Sequence, residues 1–177
     1  MNILRNIVSP FWHPGRAALA GIVALGVYTA EMEVDMAVTG NHFSDVRFIE
    51  GLLPGKSDQL AVGARMELDN RADQSALGAI NRPLLAWGIH LVNGVMLAEL
   101  YAAVFKRFLP GPDWLRGVIF GEAFIVSVWW LTPLADKYHP FIKRGVLPPL
   151  ANWTSFLQNV VRHFFFGLTL GLLYREK

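Results

Sequence analysis

Four stretches of this chain, at about 17–38, 83–105, 114–134 and 154–174, stay apolar for roughly the 20 residues an α-helix needs to cross a hydrocarbon core. No other feature narrows the fold as far. Inside a bilayer every backbone polar group must be satisfied within its own segment, so such stretches are helices. The composition agrees: 53% of the 177 residues are hydrophobic and 17% are charged, against about 25% charged in an ordinary soluble domain. In the last three windows Leu, Val, Phe and Trp run round the whole helical circumference, leaving no polar stripe for the outer face of a soluble bundle. The expected fold is an all-α, four-helix transmembrane bundle forming a single domain, 1–177. Its outer loops are 40–82 and 135–153.

The segments between the windows fit this frame. The first apolar run passes into Glu31, Glu33 and Asp35 rather than a small-x-small cleavage site, which speaks against a signal peptide. Ser44 or Asp45 is placed to cap a short helix over Asn41 to Glu50. Pro54-Gly55 marks a turn, and 57–80 reads as a surface excursion rather than another span. Pro83 opens the second window, Asp113-Trp114 caps and anchors the third, and the third runs on to Thr132-Pro133.

Several functions are excluded outright. The chain has no cysteine, so disulfides, thiolate metal sites and cysteine nucleophiles are absent. A net charge of +2 gives no basis for binding nucleic acid. Seven basic and two acidic residues flank the helix ends on the side of the two termini, whereas the opposite loops hold eight basic and seven acidic. Short, basic-flanked segments stay in the cytoplasm, which places both termini there and the protein in the inner (cytoplasmic) membrane.

One helix is written twice. His90-x3-Gly94-x3-Ala98-x2-Tyr101 and His163-x3-Gly167-x3-Gly171-x2-Tyr174 share one spacing, and i, i+4, i+8 and i+11 fall on one helical face. Arg16-x4-Gly21 and Arg116-x4-Gly121 open the preceding windows in the same way. The chain therefore reads as two helical hairpins repeated in parallel, about a pseudo-twofold axis along the membrane normal. Gly94, Ala98, Gly167 and Gly171 are the helix-packing positions, where small residues let backbones approach.

Ionisable residues inside spans are costly and count as site candidates. His90 and His163 are the candidate cofactor ligands, and Glu31, Glu99 and Glu122 the candidate metal or proton positions. The plainer alternatives are interhelical hydrogen bonds for the imidazoles and one shared-proton pair for Glu99 with Glu122. Glu33 and Asp35 read as the solvated outer end of the first span. Trp129-Trp130 and Phe164–Phe166 read as lipid-facing bulk. No Glu-x-x-His of the di-iron bundle type occurs.

The Gly-rich first span, the two His-to-Tyr motifs, the Arg116-Gly117 opening and the terminal His-Phe-Phe-Phe-Gly-Leu-Thr-Leu-Gly-Leu-Leu-Tyr run resemble a group of small uncharacterised bacterial four-helix integral membrane proteins. The resemblance covers the spans and not 40–82. It implies the topology and carries no activity.

The expected role is that of a non-enzymatic accessory or structural subunit of a larger inner-membrane assembly, respiratory or photosynthetic for example. Its partners would be other membrane subunits and lipid. Four spans drawn together by small residues are expected to be too thin to enclose a sizeable water-filled cavity. The alternative is a small haem-, metal- or proton-handling protein that uses the intramembrane His/Glu set. No cofactor is expected on the first reading; haem b or a divalent metal belongs to the second.

Overall fold

A computed structural model describes residues 8–10, 12–53 and 82–175. The turn and surface excursion expected within 54–81 lie outside the described residues. Among the described residues the α-helices are α1 (Pro14–Thr39), α2 (Asp45–Leu52), α3 (Arg82–Leu100), α4 (Asp113–Trp129), α5 (Thr132–Tyr138), α6 (Pro140–Lys143) and α7 (Trp153–Leu173), with no strand. Beyond Leu100 the α3 axis continues through a π-helical turn, Tyr101–Phe105, and a 3-10 turn, Lys106–Phe108. By length and composition α1, Arg82–Phe108 and α7 can each cross a membrane, and α4 with α5 makes a fourth, bent candidate.

The helix ends follow from local chemistry. Pro14 starts α1, where a missing N–H costs nothing. Gly40 ends it at φ 68, its N–H bonded to the Met36 carbonyl. Ser44 caps α2 as the sequence indicated, and Asn152 caps α7 by accepting from Ser155 N at 2.9 Å. Asp113 is not a cap. Pro112 holds that position, and the Asp113 carboxylate lies 3.2 Å from Lys106 Nζ. Lys106 is buried rather than an interface charge, and donates to the Tyr174 carbonyl at 2.7 Å.

The third window departs from one straight span to 134. Its helix stops at Trp129, and α5 leaves at 52°. Pro133 lacks an N–H, and in a continued helix its ring would strike the Trp129 carbonyl. That carbonyl accepts instead from Thr132 Oγ1 at 2.8 Å.

Two tight helix pairs organise the bundle. Gly21 of α1 faces Gly94 and Ala98 of α3; a methyl at Gly21 would lie 2.6 Å from the Ala98 Cβ. In α4 and α7, Gly117 and Gly167 each press on the other's backbone, Gly121 lies on the His163 carbonyl, and Gly171 on Asp113. α1 also packs along α7, so the order across the bundle is α3, α1, α7, α4. α3 and α4 join through ring contacts at one end, where Phe120 meets Tyr101 at 5.3 Å and Phe105 at 5.6 Å.

The main core holds Ala17, Ala20, Ala24, Tyr28, Ala98, Tyr101, Phe166 and Leu170 among others. Phe166 is therefore core, at 3% exposure, while Phe164 and Phe165 stay exposed. The surface was legible at those two positions and not at the third, because Phe166 shares a face with His163. A second small core of Phe43, Phe141, Leu147 and Leu150 lies beneath 135–153. That outer segment spends apolar side chains on itself and on α2 rather than displaying them all.

Candidate functional site

The site starts from Arg162, a cation with 0% exposure in the middle of α7. A guanidinium cannot shed its charge, so a dry one must be paired. Asp35 supplies both oxygens: Nε to Oδ2 at 2.5 Å and Nη2 to Oδ1 at 2.6 Å. Such fork-to-fork pairing fixes orientation as well as charge. Asp45, the first residue of α2, adds Oδ2 at 3.4 Å from Nη1, and Glu31 lies 4.0 Å from Nε. Gln158, one turn from Arg162, donates to Asp35 Oδ1 and to Thr39 Oγ1, each at 2.8 Å. The cluster locks α1, α2 and α7 together. Asp35 is thus corrected from solvated end to buried partner, at 8% exposure. The reason is Arg162, whose desolvated charge needs a carboxylate at that height.

Tyr28 continues this polar network inward. Its hydroxyl donates to Asp45 Oδ2 at 2.8 Å. Its ring then receives both candidate imidazoles, His90 at 5.9 Å and His163 at 5.3 Å between ring centroids. The two histidines meet on Tyr28, with no ring contact between them among the described residues.

Around these rings lies a cavity of about 400 Å³. α3 supplies Ile89, His90, Asn93, Gly94 and Leu97, α4 supplies Phe124, Ile125 and Val128, and Asn159, His163 and Phe166 come from α7. Asp45, Phe48 and Ile49 of α2 close one side. The lining is mainly apolar, so this space is distinct from the enclosed, water-filled cavity that the sequence argued against. Small residues close the α1–α3 and α4–α7 pairs, and the space between the pairs remains. Its volume lies in the range of small-molecule sites, about 300–1,000 Å³.

The nitrogen atoms have defined roles. His163 Nδ1 lies 2.8 Å from the Asn159 carbonyl. A carbonyl only accepts, so Nδ1 carries the hydrogen, and in the neutral ring Nε2 is an acceptor. His90 is 4% exposed, and its Nε2 is enclosed without a partner.

The two remaining carboxylates do not pair with each other. Glu99 Oε2 accepts from Trp12 Nε1 at 2.7 Å, in an exposed bond. Glu122 Oε1 is enclosed without a hydrogen bond. The shared-proton pair is replaced by an exposed indole–carboxylate bond and a separate orphan, since the Trp12 indole N–H is within reach of Glu99. Among the described residues no three or more His, Asp or Glu side chains gather as a metal site.

No protein-family model, no curated protein and no solved structure matches the chain. The site is read from its own residues alone. Sequence reasoning named His90, His163 and Glu31 and missed Tyr28, Asp35, Asp45 and Gln158. A signal was present for Asp35: it stands one helical turn from Glu31, and an unpaired Arg162 sits in another span.

α2 is held against the cavity by His139, which is 2% exposed and lies outside the spans. Its Nε2–H donates to the Phe48 carbonyl at 2.8 Å, and its ring stacks on Phe48 at 4.1 Å. Nδ1 is enclosed without a partner. Burial pushes the His139 pKa below its ordinary value. The docked state thus disfavours the charged ring. Its stability is full above about pH 6.5 and falls as the pH drops from there toward the lowered value. We expect amide hydrogen exchange in 45–52, corrected for intrinsic rate, to speed up between pH 7 and pH 5. A His139→Phe variant should lose that dependence; an unchanged pH response in the variant would assign it to other groups.

Proposed function

We propose that this protein binds a lipid-soluble molecule inside the membrane, in the cavity between α3 and α4, and that the Arg162 cluster holds the cavity's shape. The observation that carries this reading is the cavity itself: about 400 Å³, mostly apolar, with two buried imidazoles and a tyrosine at its centre. A mainly apolar site with a few convergent polar groups is the usual form of a ligand pocket. Asn93 and Ile89 of α3 line the cavity and are exposed, and in a bilayer that face would meet lipid. Entry from the bilayer follows from that exposure. On this reading the protein lies in the inner membrane with both termini cytoplasmic, a proposal supported by the basic bias of the segments beside the termini, and it carries no assigned reaction.

Labelling with a lipophilic aryl diazirine in bilayers tests this. Adducts should concentrate in 89–97 and 124–128 above other lipid-facing positions, and Val128→Trp at the mouth should suppress them. Labelling spread evenly round the spans would reject the reading.

The accessory-subunit role is the second reading. A groove of about 480 Å³ on the outer face of α1 and α3 favours it. There Gly26 and Gly88 have nothing within 4 Å of a would-be Cβ, which leaves room for a neighbouring helix. The parallel-hairpin repeat also belongs here as a proposal. It is supported by the shared placement of the two motif histidines on Tyr28 and of Tyr101 beside Tyr174 at 6.5 Å.

A further inference from the structure

We propose that the cavity binds an organic ammonium, a lipophilic amine or quaternary ammonium ion whose charge Asp45 meets and whose apolar groups the surrounding rings enclose. This rests on the lateral-cavity reading above and adds the ligand's charge and class to it.

The charge count comes first. Arg162 is the guanidinium of the buried cluster, and Asp35 takes its fork through both oxygens, at 2.5 and 2.6 Å. Asp45 is left with the longer contact, Oδ2 at 3.4 Å from Nη1. Leaving Glu31 uncounted, Asp35 and Asp45 already bring two negative charges to one positive. A surplus charge among buried groups is costly unless something partners it. Asp35 is enclosed by Arg162 and Gln158. Asp45 is the carboxylate that lines the cavity, so the missing partner is met there. Its Oδ2 accepts from Tyr28 and Arg162, while Oδ1 takes no hydrogen bond among the described residues. No lysine or arginine lines the space to repel a cation, since Arg162 stands behind Asp45.

The walls suit an organic cation rather than a bare metal ion. Six ring-bearing side chains line the cavity: Tyr28, Phe48, His90, Phe124, His163 and Phe166. His163 packs edge-on to Tyr28 at 5.3 Å and stacks on Phe124 at 5.7 Å, and Phe166 meets Tyr28 at 6.4 Å. Aromatic faces attract cations through the ring quadrupole, and such rings around a carboxylate suit substituted ammonium groups. A space of about 400 Å³ is far larger than a single ion needs. Among the described residues no three His, Asp or Glu side chains gather to coordinate one. A choline-type lipid headgroup offers the same ammonium, but its phosphate would find no lysine or arginine in this lining. The geometry therefore favours a free amine.

The test uses two probes of one shape on the full-length protein in nanodiscs. They are benzyltrimethylammonium and neopentylbenzene, in which carbon replaces the charged nitrogen. Each competes with the aryl diazirine label at 89–97 and 124–128. The variant is Asp45→Asn, which removes the charge and keeps an acceptor for Tyr28. Partition into lipid is the same for both proteins, so it cancels in the comparison. We expect the ammonium to protect about tenfold or more weakly in Asp45→Asn, in line with one partly desolvated charge pair, and the hydrocarbon to be unchanged. Equal weakening of both probes would mean a disturbed wall, and Phe124→Leu then decides. It should weaken the ammonium about threefold or more relative to the hydrocarbon, and an equal change overturns the proposal. An ammonium that ignores Asp45→Asn, or a labelled cavity that the ammonium does not protect, overturns the cation preference while lateral entry stands. A preference seen in phosphatidylglycerol discs and absent from phosphatidylcholine discs would assign the site to a lipid headgroup and overturn the free amine. Absence of label from the cavity overturns both readings.

Discussion

Replacing Arg162 by leucine should destabilise the folded bundle by about 3–5 kcal/mol, the usual cost of stranding a buried charge. The guanidinium is fully enclosed, and its loss leaves Asp35 buried with Gln158 as its remaining donor and Glu31 beside it. The informative comparison is with the double variant Arg162→Leu/Asp35→Leu. Removing both charges removes the desolvation cost along with the attraction, and such swaps are often neutral or better. The double variant should recover most of the loss, and denaturant unfolding in mixed micelles measures both. If the single variant costs under about 1 kcal/mol, the value of an exposed pair, the lock is not buried as described. The same variant should release α2, because Asp45 reaches the cluster from that helix. Stability and cavity shape are then coupled through one side chain.

Enlarging Gly167 should be at least as damaging. A Cβ there would overlap the Gly117 carbonyl group of α4, and one at Gly117 would overlap the Gly167 carbonyl. Overpacking by side chains costs about 1–3 kcal/mol. Here the obstacle is backbone on both sides, so the helices themselves must separate. Gly167→Val should exceed that range and give a loosened or misassembled bundle. Gly26→Ala and Gly88→Ala are the controls, since nothing lies within 4 Å of either. They should be neutral, or slightly stabilising through the higher helix propensity of alanine. Thermal unfolding of the four proteins side by side decides it. A Gly167→Val variant that melts with the two controls would mean that α4 and α7 are not in backbone contact.

The helices were largely legible, because hydrocarbon thickness and backbone satisfaction leave a sequence few options. The windows near 17–38, 83–105 and 154–174 were found within a few residues. The third failed at Pro133, where a proline inside an apolar run broke the helix that hydropathy alone continued. The site was legible in part. His90 and His163 stand out because an ionisable residue in an apolar span is rare. Tyr28 does not stand out, since a tyrosine in a span is ordinary, and the signal for Asp35 is read only once Arg162 in another span is taken as needing a carboxylate. Their roles arise only when α7 brings Arg162 to their height. The cavity was beyond reach for another reason. Small residues and the hairpin reading show which faces approach within each pair, but not that the space between the two pairs stays open.

The chain's lack of cysteine makes the lateral opening directly measurable. A single spin label placed at Asn93 on α3, and separately at Val128 on α4, reports collision with oxygen, which concentrates in lipid, and with a water-soluble nickel chelate. Leu19, exposed on α1 well away from the cavity, is the lipid-facing reference. A cavity entered from the bilayer predicts oxygen accessibility at Asn93 and Val128 close to that at Leu19, low nickel accessibility at all three, and restricted label motion only at the first two. High nickel accessibility at Asn93 and Val128 would mean a water-filled opening, and low accessibility to both reagents a sealed core; either result contradicts lateral entry.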